Sequence, residues 1–91
     1  MNDEIQIRQG THLDLPAVHR LVGELADYEK ALAAFTATLQ DYENDFAAGV
    51  FETLVAENTQ GEIVGMALYY LTYSTWKGRM LYLEDLSLIH I

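Results

Sequence analysis

Glu62-Ile-Val-Gly-Met-Ala-Leu-Tyr-Tyr-Leu-Thr-Tyr73 decides the fold. It is rich in aromatic and β-branched residues and reads as one long strand. Gly65 inside it marks a bulge or a point where another segment comes close. Ser74-Thr-Trp-Lys-Gly78 follows with the composition of a turn, and Arg79 to about Leu88 reads as the next strand. On the other side, Asn58-Thr-Gln-Gly61 reads as a hairpin turn, and Phe51 to Glu57 as a strand. The second half of the chain is therefore an antiparallel meander.

The first half has a different period. Glu4-Ile-Gln-Ile-Arg8 alternates polar and apolar residues, a short strand that Gly10 breaks. Thr11 and Asp14 are both suited to cap a following helix, and Pro16 fits only a first turn. Leu15, Val18, Val22 and Leu25 recur at spacings of three, four and three, with Leu21 beside them. They predict an amphipathic helix reaching about Tyr28. Ala31 to Ala37 has no firm period. Thr38-Leu-Gln-Asp41 reads as a capping box, with Leu39, Tyr42 and Phe46 at helical spacing and Gly49 as a stop. The order is β-α-α-β-β-β, an α+β fold with a mainly antiparallel sheet in a single domain over residues 1–91.

Composition narrows the function. The 91 residues are 51% hydrophobic and 21% charged, which excludes a disordered tail. The longest apolar run, Ile63 to Leu71, is far short of the about 20 residues that cross a bilayer. The opening Met1-Asn-Asp-Glu-Ile5 has neither the basic nor the apolar region of a signal peptide, so a cytoplasmic location is expected. Without cysteine there is no disulfide, thiolate nucleophile or zinc–cysteine site. A net charge of −9 disfavours nucleic acid and anionic lipid as partners and favours small cations. Solubility alone also accounts for such a charge.

Two carboxylates interrupt an apolar strand in Leu81-Tyr-Leu-Glu-Asp-Leu86. Strand alternation sends Glu84 and Asp85 to opposite faces, and one of them must meet the helices. A partly buried carboxylate is a candidate general base or a seat for a cation. A salt bridge to Arg8 or Arg79, or exposure at the strand end, explains the pair equally well. Trp76, in a turn, either lines an ammonium site through its ring face or covers the edge of the core. Tyr28 and Glu29 pair an aromatic with an acid at a helix end. His12, His19 and His90 are not spaced as metal ligands, and no metal site is expected. No phosphate-binding glycine loop and no G-x-S-x-G elbow occurs.

Several of these stretches resemble the GNAT superfamily of N-acetyltransferases. The start Ile5-Gln-Ile-Arg8, with Thr11 and Asp14-Leu-Pro-Ala17, is similar to the opening of many members. More specific are Leu25-Ala-Asp-Tyr-Glu29, Ile63-Val-Gly-Met-Ala-Leu-Tyr-Tyr70, Thr72-Tyr73, Trp76, Gly78 and Leu81-Tyr-Leu-Glu-Asp85. They look like the diamine (spermidine/spermine-type) and thialysine acetyltransferase branch. The resemblance implies transfer of an acetyl group from acetyl-CoA to a primary amine of a small polyamine or diamine-like substrate. It implies that Glu84 holds or deprotonates the amine, that Asp85 supports the acidic site, and that Tyr28, Glu29 and Trp76 line the pocket. Main-chain groups at Leu86 and Leu88 would bond the pantetheine arm.

The sequence also departs from the family. Ser74-Thr75 stands where an acid–proline pair is expected in the spermidine enzyme, which leaves the amine open. Neither the Arg/Gln-x-x-Gly-x-Gly turn that precedes the pyrophosphate-binding helix nor the tyrosine general acid occurs here. Ser87 to Ile91 does not match the family's continuation. The expectation is the N-terminal half of a longer enzyme, inactive alone, with Ser87–Ile91 as a non-native tail. The last strand would be an open apolar edge inviting a homodimer. The alternative is a non-catalytic binding or dimerisation module.

Overall fold

A computed structural model describes residues 4–88. The expected order is present: β1 (Gln6–Gln9), α1 (Leu15–Tyr28), α2 (Leu39–Ala47), β2 (Glu52–Glu57), β3 (Ile63–Ser74) and β4 (Gly78–Leu88). Two short 3-10 turns, His12–Asp14 and Leu32–Ala34, precede the helices. The four strands lie in the order β1-β2-β3-β4, with every neighbouring pair antiparallel.

Local chemistry explains the boundaries. The Thr38 hydroxyl accepts the Asp41 amide, and the Asp41 carboxylate accepts the Thr38 amide, closing the capping box of α2. Thr11 and Asp14 form a second box around the first 3-10 turn. Asn58 Oδ1 accepts the amides of Gln60 and Glu62, and Gly61 has φ +80° in that turn. Ser74 Oγ accepts the amides of Trp76 and Lys77, and Gly78 enters β4 at φ +86°.

Leu15, Val18 and Leu21 of α1 are fully buried against Val55, Met66 and Leu68 of the sheet and against Phe51. Each of the three contributes about 1.5–3 kcal/mol relative to exposure. α2 adds Tyr42 and Phe46, whose rings lie 5.8 and 5.7 Å from that of Phe51. Among the described residues the other sheet face is bare: Ile7, Leu54, Ala67, Leu86 and Leu88 line an open apolar cavity of about 270 Å³. Gly65 is a point of close approach, where a Cβ would lie 2.8 Å from Leu88 Cδ1 and 3.0 Å from the Ser87 carbonyl.

In β1 the apolar side faces away from the core, since Ile7 is 63% exposed. Arg8 is instead held by Asp14 and Glu57 at 2.8 Å each. Asp14 does not cap α1 through its side chain as its position suggests. That side chain is spent on Arg8 and Thr11.

Candidate functional site

The acidic pair of β4 lies at an irregularity that alternation does not foresee. Asp85 pairs with Leu68 and Leu83 with Tyr69, so Glu84 is an extra residue. The bulge overturns the expectation that the two carboxylates face opposite ways. Both line one cavity of about 350 Å³ on the helix side of the sheet, with Glu29 at the same cavity. Val22, Leu25 and Ala26 of α1 form one wall, and Ala31, Ala34 and Phe35 another.

Neither arginine offered by the sequence neutralises this site. Arg8 is engaged by Asp14 and Glu57, and among the described residues no ion pair joins Arg79 to Glu84 or Asp85. Glu84 is exposed and accepts the Tyr70 hydroxyl at 3.1 Å. Asp85 is half-buried. Burial, then the charges of Glu84 and Glu29, hold its pKa above the ordinary 3.8. The same field reaches α2: burial first, then Asp85 and Glu84, push the Tyr42 hydroxyl up to about 12. Tyr70 is raised by desolvation and by its bond to Glu84. Negative charge is thus concentrated at one end of a cavity with apolar walls. That arrangement is complementary to an ammonium group on a methylene chain.

Other candidates lie elsewhere. Tyr28 is 85% exposed and Trp76 94% exposed, and neither lines the cavity. Leu86 and Leu88 sit on the bare face, and β4 is the edge strand of the sheet among the described residues. His90 and the end of the segment Ser87–Ile91 lie outside the described residues. Among the described residues no group of three His, Cys, Asp or Glu side chains is placed to hold a metal ion. None of their helices is long and apolar enough to cross a membrane.

Comparison with known proteins shows what the chain is similar to. No family model matches the chain. It is 42% identical over 91 residues to human spermidine/spermine N(1)-acetyltransferase-like protein 1, covering 91% of this chain and 13% of that protein. It is 39% identical over 94 residues to bovine (Bos taurus) thialysine N-epsilon-acetyltransferase, covering 90% of this chain and 54% of the relative. The fold matches a possible acetyltransferase from Clostridium difficile 630 at TM-score 0.74 and 15% identity, over 93% of this chain and 57% of that one. The chain is similar in sequence to spermidine/spermine-type and thialysine N-acetyltransferases and shares the fold of solved GNAT acetyltransferases. Its β-α-α-β-β-β order is the N-terminal half of that fold. An aminoglycoside N-acetyltransferase solved with CoA gives TM-score 0.69 at 14% identity, over 98% of this chain and 58% of that one. The chain spans about half the length of the thialysine relatives it matches.

Within this half-domain, sequence reading missed the second wall of the cavity. Phe35, Ala34 and Ala31 lie in the aperiodic stretch after α1. Its one local marker is Lys30, at φ +57° just past the C-cap Glu29. The Ala31 amide reaches back to the Ala26 carbonyl at 2.8 Å, the helix-ending bond that needs a left-handed residue there. Lys30→Gly is expected to stabilise the fold by about 0.5–1 kcal/mol, read as a rise in thermal midpoint.

Proposed function

We propose that the acidic cavity seats the primary amine of a small polyamine or diamine-like molecule, to receive an acetyl group from acetyl-CoA. One observation carries this reading: Glu29, Glu84 and Asp85 converge on an apolar-walled cavity with no arginine or lysine among its lining residues. The activities for which the spermidine/spermine-like and thialysine relatives are named support it. In this reading Glu84 takes the ammonium proton, directly or through water, and the freed nitrogen attacks the thioester carbonyl. The carbon–sulfur bond then breaks, and the CoA thiolate leaves and is protonated. Glu29 and Asp85 hold the remaining charge of the substrate. The outer edge of β4 near Leu86 and Leu88 offers main-chain groups for the pantetheine arm.

The test is titration of the 91-residue chain with spermidine, followed by amide chemical shifts. Shifts should cluster at Val22, Leu25, Phe35, Glu84 and Asp85, and binding should weaken with salt. Glu84→Gln should reduce affinity by roughly 2–5-fold. Shifts scattered over the surface, indifferent to Glu84→Gln, would discard the reading.

A second reading, a non-catalytic binding or dimerising module, is favoured by the edge of β4 and the apolar sheet face, both uncovered among the described residues. Homodimerisation through that edge is compatible with both readings. Thiol release from acetyl-CoA in the presence of amine, measured on a full-length form that supplies the pyrophosphate-binding turn, separates them, because only the enzyme reading yields it.

A further inference from the structure

The cavity wall formed by residues 31–37 is joined to α1 by one side chain whose role nothing above requires. Around its start, the wall is tied by main-chain bonds from Ala31 to Ala26, Ala34 to Ala31 and Phe35 to Leu32. Towards its far end the fastening comes from His19. The Nε2 of His19 lies 2.8 Å from the Ala37 carbonyl oxygen. A carbonyl only accepts, so this nitrogen carries the proton. The His19 ring sits 4.8 Å from that of Phe35 and 4.9 Å, edge-on, from that of Tyr42. One helical turn further on, Gly23 leaves room for Phe35: a Cβ there would lie 2.9 Å from Phe35 Cε2. His19 and Gly23 are four residues apart and share a face of α1. One stripe of the helix thus docks the wall by a hydrogen bond, a ring contact and a vacated Cβ.

We propose that His19 is a positioning residue that latches residues 31–37 onto α1 and so sets the width of the acidic cavity. Phe35 transmits the effect, because it touches His19 and also lines the cavity. The inference rests on the amine-binding reading for its functional consequence, but the latch itself does not. Without it the wall swings outward, water reaches Asp85, and the cation loses its apolar flank.

Three variants of the whole chain test this: His19→Ala, His19→Phe, which keeps a ring without the donor, and His19→Gln, which keeps a donor without the ring. In His19→Ala, amide hydrogen exchange over residues 31–37 should quicken by about tenfold, while β2 and β3 stay protected. The Asp85 carboxyl, followed by carbon NMR, should titrate closer to its ordinary value. Spermidine affinity should fall about fivefold. His19→Gln should recover most of these changes and His19→Phe few of them. If His19→Ala does not fold, the contrast between His19→Phe and His19→Gln decides. Unchanged exchange over residues 31–37 together with an unchanged Asp85 titration overturns the latch. If the native chain binds no spermidine while exchange and Asp85 respond as stated, the amine reading fails and the latch stands.

Discussion

Asp85→Asn is expected to weaken spermidine binding by roughly tenfold and, in the same protein, to raise the thermal midpoint. The two effects share a cause. Asp85 is half-buried and lines the same cavity as Glu84 and Glu29, so its charge is held against both desolvation and repulsion. Removing that charge relieves the empty protein by about 0.5 kcal/mol, a small figure because solvent still reaches the group. Filling the cavity with a cation reverses the balance, since the same carboxylate then has a partner. A structural carboxylate would show the opposite pattern, losing stability on substitution. Calorimetric binding and thermal melts on one preparation are sufficient. A fall in midpoint with unchanged affinity would remove Asp85 from the site.

The raised pKa also fixes how binding responds to acid. As pH falls toward the Asp85 value, the cavity loses a charge earlier than an ordinary carboxylate would, and amine affinity declines with it. Binding the cation favours the ionised form, so uptake of spermidine in that range releases protons. In Asp85→Asn this pH dependence should flatten.

Legibility in the sequence followed the range of the interactions. Turns and caps were readable because Asn58, Ser74, Thr38 and Asp41 act on amides two to four residues away. The helix of Leu15, Val18 and Leu21 was readable because one buried stripe sets its period. The candidate site was legible in residue type, with Glu84, Asp85 and Glu29 all picked out, but not in geometry. The bulge that brings Glu84 and Asp85 to one side depends on how β4 registers against β3, and neither residue carries a local sign of it. The wall at Phe35 is held by contacts with His19 and Gly23, at least twelve positions away, and small residues without a period give no hint of them. The sequence offers Arg8 as a partner for the acidic pair. It is taken by a carboxylate six residues along and another on the neighbouring strand.

That last interaction supplies the largest stability effect. Asp14 is 6% exposed and accepts from both terminal guanidinium nitrogens of Arg8, at 2.8 and 2.9 Å, as well as from the Thr11 amide at 2.8 Å. It joins β1 to the start of α1, while the same arginine reaches Glu57 on β2. Asp14→Ala leaves the Thr11 amide and one side of Arg8 without their partners. The expected loss is about 2–3 kcal/mol, at the lower end for a broken pair because Arg8 still contacts solvent. For a domain of this size that lowers the thermal midpoint by about 10–20 °C. The Arg8 bonds hold the Asp14 pKa below its ordinary 3.8. The unfolded chain therefore binds the proton first, and the stability Asp14 provides is present above 3.8 and is lost as pH falls through the folded value. Asp85 has the opposite sign: its raised value makes stability fall as pH rises from 3.8 through the folded value. Chemical denaturation of the native chain should therefore give a stability maximum in mild acid. Asp14→Ala should flatten the acid limb, leaving the part due to Asp41, whose pKa is lowered by its bonds to Thr38. An acid limb equally steep in Asp14→Ala would show that the Arg8–Asp14 pair does not hold the first strand to the helix.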